Sequence, residues 1–104
     1  MGHLKRGDVF FADLGNKSRP WLVVQNDVGN AHSSRTIIVP LTSKIARDLP
    51  VHCVVCWGSL RPSAVQCEEI RNVDISEDWA AVEHLPPEIM QHVDRALKIS
   101  LGLE

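Results

Sequence analysis

Short apolar runs separated by clusters of turn-forming residues dominate roughly the first seventy positions of the chain. Arg6-Gly7-Asp8 leads into Val9, Phe10, Phe11 and Ala12, a strand-favouring run, and Asp13 to Ser18 supplies turn residues ahead of Pro20. Trp21 to Gln25 predicts a second strand. Asn26 to Ser34 is dense in turn formers, and Thr36 to Val39 is β-branched and short enough for a buried third strand. Val51 to Cys56 predicts a fourth strand, and Ser63 to Cys67, continued by Ile70 and Val73, a fifth. The turn signals recur at the spacing of small barrels. The period then changes. Ile89, Met90, Val93, Ala96, Leu97, Ser100 and Leu101 fall on one side of a helix over about 87–101. Pro86 and Pro87 suit its first turn, Glu88 and Lys98 complement its dipole, and Gly102 stops it. Between barrel and helix, Ser76 to Trp79 predicts a short helical turn, and Val82 to Leu85 a brief extended piece. The fold class is mainly β with a terminal α-helix (α+β), a small β-barrel over about 5–75 whose edge or mouth the helix covers.

A chain of 104 residues, 44% hydrophobic and 23% charged, suits one domain over 1–104 with a core that needs no metal or disulfide. Its apolar stretches, such as Trp21–Val24 and Val54–Trp57, are far shorter than the roughly twenty residues of a membrane helix. No apolar region follows the cations Lys5 and Arg6, so the expected location is the cytoplasm. Three cysteines, an odd number, fit reduced thiols there. Cys53-Val54-Val55-Cys56 has the CxxC spelling, but in a strand residues three apart point to opposite faces, so these are expected as core thiols. Neither a metal nor a cofactor is expected.

The net charge of −2 speaks mildly against a nucleic-acid binder, yet the charge is segregated. Residues 1–72 carry nine Lys/Arg and six Asp/Glu, whereas residues 73–104 carry two and seven. A basic-leaning body can bind a polyanion on one surface despite the overall sign, although solvated surface charge explains the pattern equally well.

Four segments stand together in order: Arg6-Gly7-Asp8-Val9, Arg19 to Asp27 (RPWLVVQND), Val39-Pro40-Leu41-Thr42-Ser43, and Glu68 to Asp74 (EEIRNVD). Together they resemble the MazF/PemK/Kid toxins, from about residue 5 to Leu101 and least between Trp57 and Pro62. The resemblance implies an SH3-like barrel of CcdB/PemK type and a homodimer. It also implies metal-independent, sequence-specific cleavage of single-stranded RNA such as mRNA, and inhibition by a MazE-like antitoxin whose tail occupies the RNA groove. Two alternatives stand beside it. A gyrase poison of the same fold depends on a C-terminal Trp-Gly-Ile, whereas this chain ends Leu101-Gly102-Leu103-Glu104. A catalytically silent RNA- or protein-binding barrel is separable from an enzyme only by activity.

Metal-free RNA cleavage uses the neighbouring 2′-hydroxyl as nucleophile and needs a proton acceptor, a proton donor and cationic stabilisation of the phosphorane. Arg19 stands where the family has its catalytic arginine, and its fork matches two phosphate oxygens; a surface salt bridge is the plain alternative. Thr42, after the third strand, matches the catalytic threonine and is otherwise an ordinary cap residue. Glu68 stands where one branch of the family places a base. As strand neighbours, Glu68 and Glu69 would face opposite ways, leaving only one for the groove. Glu69 stands where Gln is common, which reads as a specificity change, since a carboxylate accepts from cytosine or adenine amines. Arg71, two residues on and on the same face, is expected in the RNA-binding set, pairing with Glu69 or with phosphate, a plain cross-face ion pair being the alternative. The loop before Arg19 is shorter than in many relatives, leaving Lys17 and Ser18 as its local phosphate contacts. Pro20, Asn26, Ser43 and Lys44, within or beside the same motifs, complete the expected RNA-binding set. Nothing in the spacing of His3, His32, His52, His84 and His92 brings two of them together. Trp21 belongs to the core, while Trp57 and Trp79 are either packed or exposed platforms for a base.

Overall fold

The computed structural model describes residues 3–15, 17–46 and 49–103. Among these residues seven strands and two helices follow one another: β1 (Asp8–Asp13), β2 (Ser18–Val23), α1 (Asp27–His32), β3 (Arg35–Thr42), β4 (His52–Val55), β5 (Ser63–Gln66), β6 (Arg71–Asp74), β7 (Glu83–His84) and α2 (Pro87–Ser100). The strands run in the order β4-β5-β3-β2-β1-β7, and β6 also pairs with β3. Every pairing is antiparallel.

β3 organises this arrangement. One edge pairs with β2, Trp21 opposite Pro40 and Val23 opposite Ile38. The other edge is divided: Arg35 to Ile38 pair with β6, and Leu41 and Thr42 with β5. Val39 and Pro40 fall in the gap between those two partners, so a residue without an N–H stands where the ladder is already interrupted.

The alternation of side chains builds two cores, one on each face of β1–β2–β3. Val9, Leu22, Val39 and Leu41 pack with Val55, Val65 and Cys67, and α2 closes this core with Met90, Val93 and Ala96. Phe10, Ala12, Trp21, Val23 and Ile38 pack with Leu4 on the other face, joined by Val73, Ile75 and Trp79. Burying a side chain such as Val93 stabilises the docked helix by about 2 kcal/mol, more than its propensity supplies. Trp79 stacks on Phe10 with ring centroids 4.7 Å apart, so it is a packing residue. Arg6-Gly7-Asp8 is a structural junction. Gly7, at φ +97°, donates to the Val23 carbonyl and accepts from the Leu85 N–H, both at 2.9 Å. Asp8 accepts from the Lys5 N–H at 2.8 Å and lies 2.7 Å from His84 Nδ1.

Several elements depart from the sequence expectation. The turn-rich stretch after Asn26 contains α1: Asn26 Oδ1 accepts from the Gly29 N–H at 2.8 Å, so the turn formers act as a cap. Asn30, 1% exposed, holds this short helix down. Its Nδ2 donates to the Gln25 carbonyl and Asp27 Oδ1, and its Oδ1 accepts from Gln25 Nε2 and the buried Thr36 hydroxyl. The Arg6 N–H, foremost, holds the Asp27 carboxylate below its usual pKa against the opposing effect of burial, helped by the Asn30 amide. The fifth strand is two strands, because the chain turns at Cys67–Ile70 to move from β5 to β6 along the same edge of β3, with the Glu69 N–H donating to the Gln66 carbonyl at 3.1 Å. Glu68 and Glu69 therefore lie in this turn and are not alternating strand neighbours. β2 begins three residues earlier than expected and β3 ends three later, which places Arg19, Pro20 and Thr42 inside strands. Asn16, part of the stretch expected as a short loop before Arg19, lies outside the described residues. No helix among the described residues is long and apolar enough to cross a membrane.

Cys53 and Cys67 are buried as expected, but Cys56, expected as a core thiol too, is exposed, because it lies three residues on from Cys53 and so points to the opposite face. Burial pushes the Cys67 thiol up to about 12 and raises that of Cys53. At pH 8, titration of the native protein with a thiol-specific disulfide reagent is expected to show one fast thiol, and three after denaturation; two or more fast native thiols would contradict this packing. Asn30→Ala, which strands the Thr36 hydroxyl, is expected to cost about 2 kcal/mol in urea unfolding at unchanged m-value. A midpoint equal to wild type would show that the Asn30 network does not hold α1.

Candidate active site

Two strands that pair along part of their length and then separate leave a cleft between them. β2 pairs with β3 at Trp21 to Val23, but Ser18, Arg19 and Pro20 pair only with β1. β3 meanwhile runs on through Leu41 and Thr42 beside β5. The resulting cleft, about 460 Å³, is lined from the β2 side by Lys17, Ser18, Arg19 and Pro20, and from the β3 side by Leu41, Thr42, Ser43 and Lys44. Arg61, Gln66 and Glu69 are among the residues that close it from β5 and its flanking loops, and Phe11 joins them from β1.

Arg19 is half-buried and held in place. Its Nη2 donates to Gln66 Oε1 at 2.8 Å and reaches the Leu41 carbonyl at 3.5 Å, the outer limit of a hydrogen bond. Its guanidinium carbon lies 5.5 Å from the ring centre of Trp21, which shares its strand face two residues on. Among the described residues Nη1 and Nε meet no protein acceptor, so part of the fork is left for a ligand.

Thr42, at the end of β3, accepts from the Lys44 N–H at 3.1 Å. That bond uses one lone pair of Oγ1 and leaves its O–H donor and second lone pair. The same tight turn brings Ser43 and Lys44 to the cleft. Among the described residues the lining carries four cations, Lys17, Arg19, Lys44 and Arg61, against one carboxylate, Glu69, in a chain of net charge −2. Basic charge is thus concentrated where a phosphate could enter.

Eight of the eleven residues singled out from sequence line this cleft: Lys17, Ser18, Arg19, Pro20, Thr42, Ser43, Lys44 and Glu69. Three do not. Glu68, expected at the chemistry, points away to β4, where its Oε2 lies 2.8 Å from His52 Nε2. Asn26 caps α1. Arg71, expected to pair with Glu69, instead donates to the Leu14 carbonyl at 2.9 Å and lies over Trp21 at 5.2 Å, bracing the β1–β2 loop. Sequence reasoning missed Gln66, Arg61 and Phe11. The signal for Phe11 was available, because of two adjacent phenylalanines in a strand only one can enter a given core; Phe10 is fully buried and Phe11 51% exposed.

Comparison with known proteins places this arrangement. The chain is 40% identical to endoribonuclease EndoA of Bacillus subtilis (strain 168) over 111 aligned positions, covering 96% of each protein. Its structure is similar to that of an endoribonuclease from Mycobacterial species solved in complex with its cognate antitoxin, with a TM-score of 0.86, 26% identity and 97% of each chain covered. The fold also matches MazE–MazF (Form-II) from Deinococcus radiodurans, with a TM-score of 0.79 at 20% identity over 95% of each chain. Residues 5–101 match the family of PemK-like, MazF-like toxins of type II toxin–antitoxin systems, and the cleft between β2 and β3 is set in a chain that belongs to that family.

Proposed function

We infer that this chain is an endoribonuclease, the toxin of a toxin–antitoxin pair. We propose that it cleaves single-stranded RNA at a phosphate held between Arg19 and Thr42, by attack of the neighbouring 2′-hydroxyl and without a metal. The observation that carries this reading is the convergence of Arg19 and Thr42 from diverging strands into one cation-rich cleft.

In such a reaction the 2′-oxygen bonds to phosphorus as its proton leaves, and the bond to the 5′-oxygen breaks as that oxygen takes up a proton. The products are a 2′,3′-cyclic phosphate and a 5′-hydroxyl. Negative charge grows on the non-bridging oxygens on the way, and the open N–H groups of Arg19 are suited to receive it. Arginine hardly gives up a proton in a protein, so its part is electrostatic. The Thr42 hydroxyl orients the phosphate. Glu69 is the one carboxylate among the described cleft residues, placed to accept from a base amine as a specificity contact. Exposed Phe11 offers a stacking face suited to unpaired bases. The cationic lining also fits an acidic antitoxin segment as a competitor for RNA. Homodimerisation, which would extend the groove, and a cytoplasmic location belong to the same reading.

Purified protein should cut a long mixed-sequence RNA into discrete fragments in excess EDTA, leaving 5′-hydroxyl ends. Arg19→Ala should lower the rate at least about a hundredfold, and Thr42→Ala at least about tenfold, with thermal midpoints unchanged. A rate within about twofold of wild type for Arg19→Ala would remove Arg19 from the mechanism, and absence of cleavage across varied sequences would favour a silent binding barrel. Sedimentation at micromolar concentration should show a dimer, and a monomer there would count against the extended groove.

A further inference from the structure

Gln66 is a polar side chain of the cleft whose role the cleavage reading leaves open, and its position is unusual for its strand. Ser63, Ala64 and Val65 of β5 are buried, whereas Gln66 ends the strand half-buried on the cleft. It stands two residues from Ala64, which is the register partner of Thr42, so Gln66 and Thr42 rise from the same sheet face. Arg19 comes from the opposite wall, on β2. The 2.8 Å bond from Arg19 Nη2 to Gln66 Oε1 therefore spans the fork and ties the guanidinium of one strand to the strand that carries Thr42's neighbour.

We propose that Gln66 is a positioning residue for Arg19, and this rests on the reading of Arg19 as the transition-state stabiliser. Arginine is long and flexible, and an unanchored guanidinium would have to be ordered during the reaction. Here one Nη2 is fixed by the Gln66 amide oxygen and the plane lies against Trp21, which leaves Nη1 and Nε facing a ligand in one orientation. The chemistry of the partner matters as much as its position. A carboxylate at this place would hold the guanidinium equally well, but it would compensate the positive charge that the phosphorane needs and repel the phosphate. An amide orients Arg19 without quenching it.

The test compares Gln66→Leu, which removes the acceptor at similar volume, with Gln66→Glu, which keeps the acceptor and adds charge. An RNA oligonucleotide containing one cleavage site serves as substrate. Gln66→Leu is expected to lower kcat about tenfold with KM within about twofold and the thermal midpoint unchanged. Gln66→Glu is expected to lower kcat at least as far and to raise KM. The decisive arm is Arg19→Ala, followed by its residual single-turnover rate: in that background the added Gln66→Leu change should cost less than about twofold, because no side chain is left to position. A full tenfold loss in the Arg19→Ala background, an effect confined to KM, or a Gln66→Glu enzyme as fast as wild type would each overturn the proposal. The underlying reading fails separately. If Arg19→Ala cleaves as fast as wild type, Arg19 is not the stabiliser whatever Gln66 does; if Arg19→Ala is inactive while Gln66→Leu is unaffected, only the positioning role is lost.

Discussion

The divided edge of β3 is the constraint on which the rest of the structure depends. Eight residues long, β3 pairs with β2 on one side while its other side passes from β6 to β5 around Val39 and Pro40. That change of partner carries the last part of β3 away from β2 and opens the cleft between Arg19 and Thr42. Both faces of the central strands are buried. Two cores form as a result, one closed by α2 and the other by Leu4, β6 and the segment that follows it. The helix, although far from a catalytic part itself, thus stabilises the sheet whose fork makes the site.

Electrostatics in the cleft run against those of the chain. Among the described residues, none of the acidic side chains after position 72 lines the cleft, and the charged side chains that do are Lys17, Arg19, Lys44, Arg61 and Glu69. Each main group is anchored through atoms it can spare. Thr42 accepts one N–H and keeps its donor, and Arg19 engages one terminal nitrogen and keeps the rest of its fork. Glu68, by contrast, is committed to His52 on β4, so the two adjacent glutamates of the turn divide between scaffold and cleft. The turn that separates them does what strand alternation was expected to do, by a different geometry.

Much of this was legible in the sequence because hydrophobic period is a local property. The strand cores around Phe10, Leu22 and Ile38 and the amphipathic face of α2 all follow from it. Partner exchange is not local. A β-branched run such as Thr36 to Val39 announces a strand without saying which neighbours it has or where it changes them, so the break between β5 and β6 and the true end of β3 were missed. Turn composition misled at α1, where Asn26 acts as a cap and Asn30 as a buried bridge. In the site, Arg19 and Thr42 were visible through family resemblance, while Gln66 needed the fork to bring β2 and β5 together. Arg6-Gly7-Asp8, the first of the resembling motifs, proved to be a junction of chain segments; a motif can be shared for the fold as well as for the chemistry.

The most direct measurement is a crystal structure of the protein with an RNA oligonucleotide carrying a 2′-deoxy sugar at the cleaved position, which removes the nucleophile and retains the phosphate. The account predicts that non-bridging oxygens of that phosphate lie about 3 Å from Arg19 Nη1 or Nε and from Thr42 Oγ1, with the Arg19–Gln66 bond intact. An oligonucleotide bound elsewhere, or a scissile phosphate in this cleft with Arg19 and Thr42 both unengaged, would contradict it.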